Sequence, residues 1–516
     1  MKQNFRPAGF NFDIPASELG NDTWNAGKNV VFRNGFAKAA PGWEEVAPGA
    51  LLRPLWMLPV YTATTFYWVY AGNNAAGDAG AVGVTDGVTH WDITPVAGIS
   101  VTEPGDWSGG VLNGVPVFNN GLDAPFYWDV QTSNPCETLP GWPDGQLCKS
   151  LRPFKYHLIA MNISNATGDF PDLVAWSAAA EPGNIPSEWI ADPANDAGSF
   201  AISATTGAVL DGAILRESFV IYKQHATTIM QYIAGQFVFS NRKAFVASGI
   251  LARDCAAEIY GQHYVLTDGD IIRHNGQEVE SIADGVVRDY LFTQLDPDTF
   301  KAAHVKISHA DKQVWICYPT GGNEFCNEAL VYDLVSGKWG LLDQSERPYA
   351  YSERGILNQG GAEDWDSQPD TWTTVNRIWN RQAFNPTSDT LFFADYDNST
   401  LYSRTGFTRE GQRVPILLQL LSKDFGDVER DKLANQLWLR ASSNTTVGER
   451  LRVRVGTQDS LFDPIAWKVA QELHDGQLID ADASGRYLSI EVAAEQSADW
   501  TLQTMTLDYQ VRGIWA

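Results

Sequence analysis

The feature that most constrains this chain is a pattern that keeps returning. An apolar and aromatic strand is followed by a short turn of Asp, Gly or Asn and then by a second strand carrying an aromatic or basic residue. It is legible in VGVTDGVTHWDIT (82–94), YVLTDGDIIRHNGQEVESI (264–282), ALVYDLVSGKWGLLD (329–343) and LFFADYDNSTLYSR (391–404). A looser copy is LNGVPVFNNGLDAPFYWD (112–129). Asp, Gly and Asn tolerate the tight turns that join antiparallel strands, and aromatic side chains suit a half-buried pleated face. Recurring hairpins of this kind are what stacked four-stranded blades require, because each blade buries its faces only against its neighbours. A sandwich of ordinary size uses fewer strands than 51–410 offers. The expectation is an all-β chain: a β-propeller over 51–410, with loop insertions near 131–150 and 344–385.

Composition agrees with strands. Of 516 residues, 19 are Trp, 18 Tyr and 24 Phe, and only 19% are charged. The Ala/Glu/Lys/Leu runs at helical spacing that a bundle needs are missing. Acidic residues outnumber basic ones 62 to 37, for a formal net charge of −25. Affinity for nucleic acid comes largely from clustered Lys and Arg, so an ordinary nucleic-acid binder is excluded. The acidity can simply keep the chain soluble, or it can line a passage along which a polyanion slides without sticking.

The opening MKQNFRPAGFNFDIPASELG lacks an apolar leader core, so no secretory signal is expected. The longest aliphatic stretch, 414–421, falls far short of the roughly 20 residues that cross a bilayer. Five cysteines argue against a disulfide framework. Cys136 with Cys148 and Cys317 with Cys326 flank turn sequences, and reduced, strand-associated thiols are expected.

Residues 1–50 read as an extended arm with a hairpin at Asn34-Gly35, a dipeptide suited to positive φ in a type I′ turn. Residues 131–150 (Pro, Gly and Asp) and 344–385 (Gly, Asp, Gln and Trp without a period) read as projecting loops. Over 411–516 the segments VPILLQLLSKDFG, NQLWLRASS, ERLRVRVGTQ, RYLSIEVAA and TLQTMTLDYQVRG form at least five strands of a β-sandwich-like module anchored to the scaffold.

Searched for chemistry, the chain yields little. Gly27-Lys28 and Gly337-Lys338 lack the upstream glycine of a phosphate loop, and H-E-x-x-H, G-x-S-x-G and C-x-x-C are absent. Asp395, Asp397 and Ser399 begin like a calcium loop, but Thr400 and Gly406 stand where Gly and Glu are needed. His304 and His309, five apart on an expected strand, would face opposite ways. Paired carboxylates stay open, since glycosidase geometry is set in space, yet no Ser-x-Asp-x-Gly-x-x-Trp box occurs. The Trp surplus reads as blade packing before sugar platforms. No catalytic residue, cofactor or metal is expected.

The segment FNFDIPASELGNDTWNAGKNVVFRNGFAKAAPGWEEV (10–46) resembles the start of the tail nozzle family of short-tailed bacteriophages, also described as tail tubular protein B or packaged-DNA stabilisation proteins. The matching positions are Asp13, Pro15, Ser17, Glu18, Leu19, Trp24, Gly27, Asn29, Val30, Phe32, Arg33, Asn34, Gly35, Gly42 and Trp43. VAWSAAAEPGNIPSEW (174–189) and KDFGDVERDKLANQLWLR (423–440), the latter followed by RVRVGTQ and GRYLSIEV, are similar to it as well. The resemblance implies a non-enzymatic, virion-located subunit, assembled in the host cytoplasm. Six copies would ring below the portal and adaptor proteins, beside tail fibres or spikes, retaining DNA and passing it at ejection. In that setting Arg33 is expected to pair with a carboxylate and Trp24 to be buried. The alternative is a tail receptor-binding or polysaccharide-cleaving propeller.

Overall fold

The computed structural model describes the chain except residues 63–65, 234–237, 357–389, 405, 407, 410–413, 444–450, 473–477, 495–499 and 515–516. It is nearly all β among the described residues, with a single α-helix at Arg288–Gln294. That helix is too short to cross a membrane.

The repeated hairpins assemble into seven antiparallel quartets, labelled A to G in chain order. Sheet A takes Arg53–Tyr61, Phe66–Asn73, Gly80–Thr85 and His90–Asp92, and sheet B takes Ser108–Leu112, Val115–Asn119, Phe126–Tyr127 and Glu137–Thr138. Sheet C takes Leu147–Phe154, His157–Asn165, Gly168–Trp176 and Gly198–Ala201; sheet D takes Val209–Leu215, Ser218–Lys223, Ala226–Tyr232 and Phe239–Val246. Sheet E takes Ala256–Ile259, Gln262–Leu266, Ile271–His274 and Val279–Ser281. Sheet F takes His304–Ser308, Gln313–Tyr318, Glu328–Asp333 and Lys338–Asp343. Sheet G takes Tyr351–Gly355, Thr390–Asp395 and Thr400–Ser403, and its outer strand, Glu44–Val46, comes from the amino-terminal segment.

Sheets A to F meander, each strand pairing with the next in sequence, and sheet G does so for its first three strands. Some turns obey the expected chemistry: Asn113-Gly114 in sheet B has φ of 53° and 88°, and Asn34-Gly35, in the amino-terminal hairpin outside the quartets, has φ of 54° and 77°. Sheets C and D carry no such dipeptide at their first turns, where Lys155 and Arg216 adopt positive φ instead. That explains why these two quartets leave so faint a mark on the sequence. The first strands of successive sheets pack side by side, A with B through to F with G, and that of G also lies against that of A.

Aromatic side chains fill the gaps between sheets. Trp68 of sheet A meets Phe392 of sheet G at 4.6 Å between ring centres, and its Nε1 donates to Ile356 O at 3.0 Å. Gly355 makes room for it, since a Cβ there would stand 2.5 Å from Trp68 Cζ2. Phe154 and Phe219 bridge sheets C and D at 5.4 Å.

The carboxyl-terminal strands form two further layers. One continues the sheet of quartet F through Val30–Arg33 and Phe36–Ala39 to Trp500–Ile514, Arg430–Ser443 and Leu478–Gly485, with Lys2–Phe5 beside Trp500–Ile514. The other runs Ala26–Lys28, Ile416–Lys423, Tyr487–Ala494, Arg452–Gln458 and Ala466–Trp467, with Gln471–Glu472 also paired to Arg452–Gln458. Leu418, Leu420, Val453 and Ile490 of one share an apolar cluster with Leu437, Leu502, Met505 and Leu507 of the other. Alternation of buried and open positions, as in Leu478–Gly485, gives each layer one apolar face.

The amino-terminal segment is woven into both layers and into sheet G. Trp24 is 1% exposed, and Arg33 Nη1 lies 2.9 Å from Asp311 Oδ1, both as expected. All five cysteines are free and buried. The reading of 131–150 as a projecting loop is corrected. Glu137–Thr138 is the outer strand of sheet B, Leu147–Phe154 opens sheet C, and Trp142 packs edge-on to Trp189 at 4.5 Å. Its Pro, Gly and Asp serve tight turns between short strands, a composition that reads like a loop. Of 344–385, residues 344–356 are also built in: Gln344 and Tyr349 are buried and Tyr351–Gly355 is a strand. The remainder, 357–385, lies outside the described residues.

Candidate functional site

Charged side chains gather where the first strands meet. Arg152 comes from sheet C, Asp211 from sheet D, Lys306 from sheet F and Glu353 from sheet G, while Asp254 stands just before the first strand of sheet E with φ of 58°. Each lies within or beside the first strand of its sheet. Arg152 clamps Asp211 with Nε to Oδ1 at 2.8 Å and Nη2 to Oδ2 at 2.7 Å, and its Nη2 reaches Asp254 Oδ1 at 3.1 Å. Lys306 Nζ stands 3.3 Å from Asp254 Oδ1 and 2.8 Å from Glu353 Oε2, and donates to Tyr351 Oη at 2.6 Å. Asp254 N donates to Asp211 Oδ2 at 2.9 Å, and Arg152 Nη1 to Gly109 O of sheet B at 3.1 Å. Sheets B to G are thus tied through one polar network.

Burial alone would drive these groups neutral, but their mutual attraction wins. Burial disfavours the charge on Asp254, yet Arg152 and Lys306 hold it well below the usual carboxylate range. Burial likewise opposes the charge on Lys306, and Asp254 and Glu353 more than restore it. Burial, with Asp254 adding to it, pushes the Tyr351 phenol far up, so Tyr351 stays protonated.

Two cavities flank this network. The inner one is tight and is lined by Trp56, Trp107, Arg253, Asp254, His304 and Tyr351, among others. The outer one is about 310 Å3, lined by Pro59 and Tyr61 of sheet A, Ala256 to Glu258 of sheet E, Val305 to Ile307 and His309 around sheet F, and Glu353 and Arg354 of sheet G. Lys306 and Glu353 form part of its wall. Glu258 is exposed, and its Oε1 accepts from Gly261 N at 2.7 Å. The outer cavity therefore offers two carboxylates, an ammonium, a guanidinium, an imidazole and an aromatic ring in one concavity.

The sequence candidates fall as follows. His304 is buried; burial, aided by Lys306, lowers it to about 4, and its Nε2 accepts from Ser352 N at 3.1 Å. His309 lies just past the strand at the outer cavity, so the two do not converge. Asp395 is occupied within its own turn, accepting from Asn398 N at 3.0 Å and Asn398 Nδ2 at 2.7 Å. Among the described residues no group of three His, Cys, Asp or Glu is placed to hold a metal. The charged network was missed. Its signal was charge recurring within or beside successive first strands, in SLRPF, VLDGAIL, ARDCA, HVKIS and YSERG.

No family model matches the chain, and no curated protein sequence matches it. Solved structures similar to it include a fungal alcohol oxidase of the AA5 family in complex with copper, 7% identical, at a TM-score of 0.41 over 91% of this chain and 92% of that one. A glycoside hydrolase is 10% identical, at 0.26 over 88% and 99%. An exo-β-1,3-galactanase from Phanerochaete chrysosporium with β-1,3-galactotriose is 9% identical, at 0.25 over 90% and 98%. All three are enzymes, in contrast to the expected non-enzymatic tail-nozzle subunit, which is not carried forward; at these TM-scores the likeness says nothing of this chain's own activity.

Proposed function

We propose that sheets A to G are the blades of a β-propeller closed by the amino-terminal strand Glu44–Val46, that the carboxyl-terminal layers form a β-sandwich, and that the outer cavity binds and cleaves a polysaccharide. The observation that carries the functional reading is that Glu258 and Glu353 both line one concavity of about 310 Å3, together with Tyr61 and Arg354. Glycoside cleavage needs two carboxyl groups, one to protonate the leaving oxygen and one to support attack at the anomeric carbon. An aromatic ring offers a sugar its apolar face, while charged donors and acceptors fix its hydroxyls. Arg354 and His309 also line the same cavity.

The test is release of reducing ends from a panel of bacterial surface and capsular polysaccharides by the purified chain. Glu353→Gln and Glu258→Gln are each expected to lower the rate by about 100-fold or more, an acid–base contribution being worth ~10²–10⁴. A chain that neither binds nor shortens any of them overturns the reading.

A further inference from the structure

We infer that Lys306 is a positioning residue for Glu353, steadied on its other side by Asp254 and Tyr351, so that the buried network serves the outer cavity as well as the fold. This rests on the reading of that cavity as a polysaccharide-cleaving site.

Lys306 projects from the first strand of sheet F between the two cavities. Asp254 and Tyr351 belong to the inner wall, Glu353 to the outer one, and Lys306 touches all three. An ammonium has three N–H donors. In Lys306 they meet Asp254 Oδ1 at 3.3 Å, Tyr351 Oη at 2.6 Å and Glu353 Oε2 at 2.8 Å, which leaves the group little freedom to turn. The other oxygen of Glu353, Oε1, accepts from the amide of Arg354 at 2.9 Å. Both carboxylate oxygens are therefore held, and the plane of the group is fixed where it borders the cavity.

A fold-only staple would not need this arrangement. Asp254 and Asp211 already share Arg152, whereas Glu353 meets the network's cations only at Lys306 among the described residues. What Lys306 adds is a fixed cation beside the one network carboxylate that lines the outer cavity. Such a cation orients the carboxylate at the cavity wall.

The experiment uses the full chain with Lys306→Met, Lys306→Arg and Tyr351→Phe, each followed by cleavage kinetics across pH and by a crystal structure. Lys306→Met is expected to lower kcat by about 10- to 100-fold with KM nearly unchanged, the loss typical of a misplaced acid–base group. Its crystal structure should show the Glu353 carboxylate displaced. Lys306→Arg is expected to restore most of kcat, and Tyr351→Phe, the gentler change, to show the same split at a few-fold. If Lys306→Met does not fold, Tyr351→Phe decides: an unchanged kcat with Glu353 in place overturns the inference. Unchanged kinetics and an unmoved Glu353 in Lys306→Met overturn it equally. Should the unaltered chain cleave nothing, the polysaccharide reading fails by itself, and the position of Glu353 in the variant structures still decides whether Lys306 sets it.

Discussion

Arg152 shows how a buried charge earns its place only through its partners. Its side chain is mostly covered and carries both Asp211 and Asp254. Replacing it with Met of similar length leaves two buried carboxylates short of a counter-charge, at a cost of about 3–5 kcal/mol. A urea midpoint that drops accordingly is the expected outcome; an unchanged one would mean water already screens the network. Three histidines make a second residue-scale prediction. Burial lowers His263 to about 4, His274 to about 3 and His304 to about 4, from 6.5. His274 Nδ1 has no partner among the described residues, and Tyr222 Oη sits 2.6 Å from both His263 Nδ1 and His274 Nε2. Below pH 6.5 the unfolded chain takes up protons that these rings refuse, so stability falls from there toward pH 4 and is full above it. Urea midpoints at successive pH values test this, and His274→Gln should flatten the slope. At this scale the burial of Trp24 and the pairing of Arg33 with a carboxylate were legible, though not the carboxylate itself, since Asp311 lies 278 positions along the chain. The network was not, because its partners lie some fifty residues apart and only the meeting of strands brings them together.

Among elements, the repeated hairpins were readable wherever Asn, Asp or Gly made the turn, as at Asn113-Gly114. They faded where Lys155 or Arg216 took the strained position, and the short outer strand Glu137–Thr138 was hidden inside turn composition. The least legible element is Glu44–Val46, whose partner strand Thr400–Ser403 lies at the far end of the repeats. Glu45 is paired with Tyr402 in that ladder. Proline at position 45 cannot donate and disfavours an extended neighbour ladder. Glu45→Pro is expected to speed amide exchange in Thr390–Asp395 and in the adjacent Arg53–Tyr61, while Val209–Leu215 keeps its protection. Uniform loss across all sheets would instead mean that this strand holds no particular seam.

For the whole molecule, the boundary near residue 410 is where sequence pattern and packing diverge. The pattern changes there, from mixed hairpins to cleaner alternation, and reads as one module ending and another beginning. Packing runs straight through it. Val30 pairs with Leu341 of sheet F, and the same cluster that contains them also contains Leu418, Leu437 and Met505. The amino-terminal strands are the reason, since Ala26–Lys28 pairs with Ile416–Lys423 while Phe36–Ala39 pairs with Trp500–Ile514. A chain ending at residue 410 would therefore leave Phe10, Trp24, Val30 and Phe32 without the layers that cover them. Uncovering one large apolar side chain costs roughly 1.5–3 kcal/mol, and several together exceed the net stability of a typical domain. The truncated chain is expected to elute as soluble aggregate despite its acidic charge, and to lose the sharp melt of the full chain. A monomer that melts cooperatively at the full-length temperature would show that sheets A to G fold by themselves. The amino-terminal segment would then be a tether between two independent bodies, and not the strand set that makes them one.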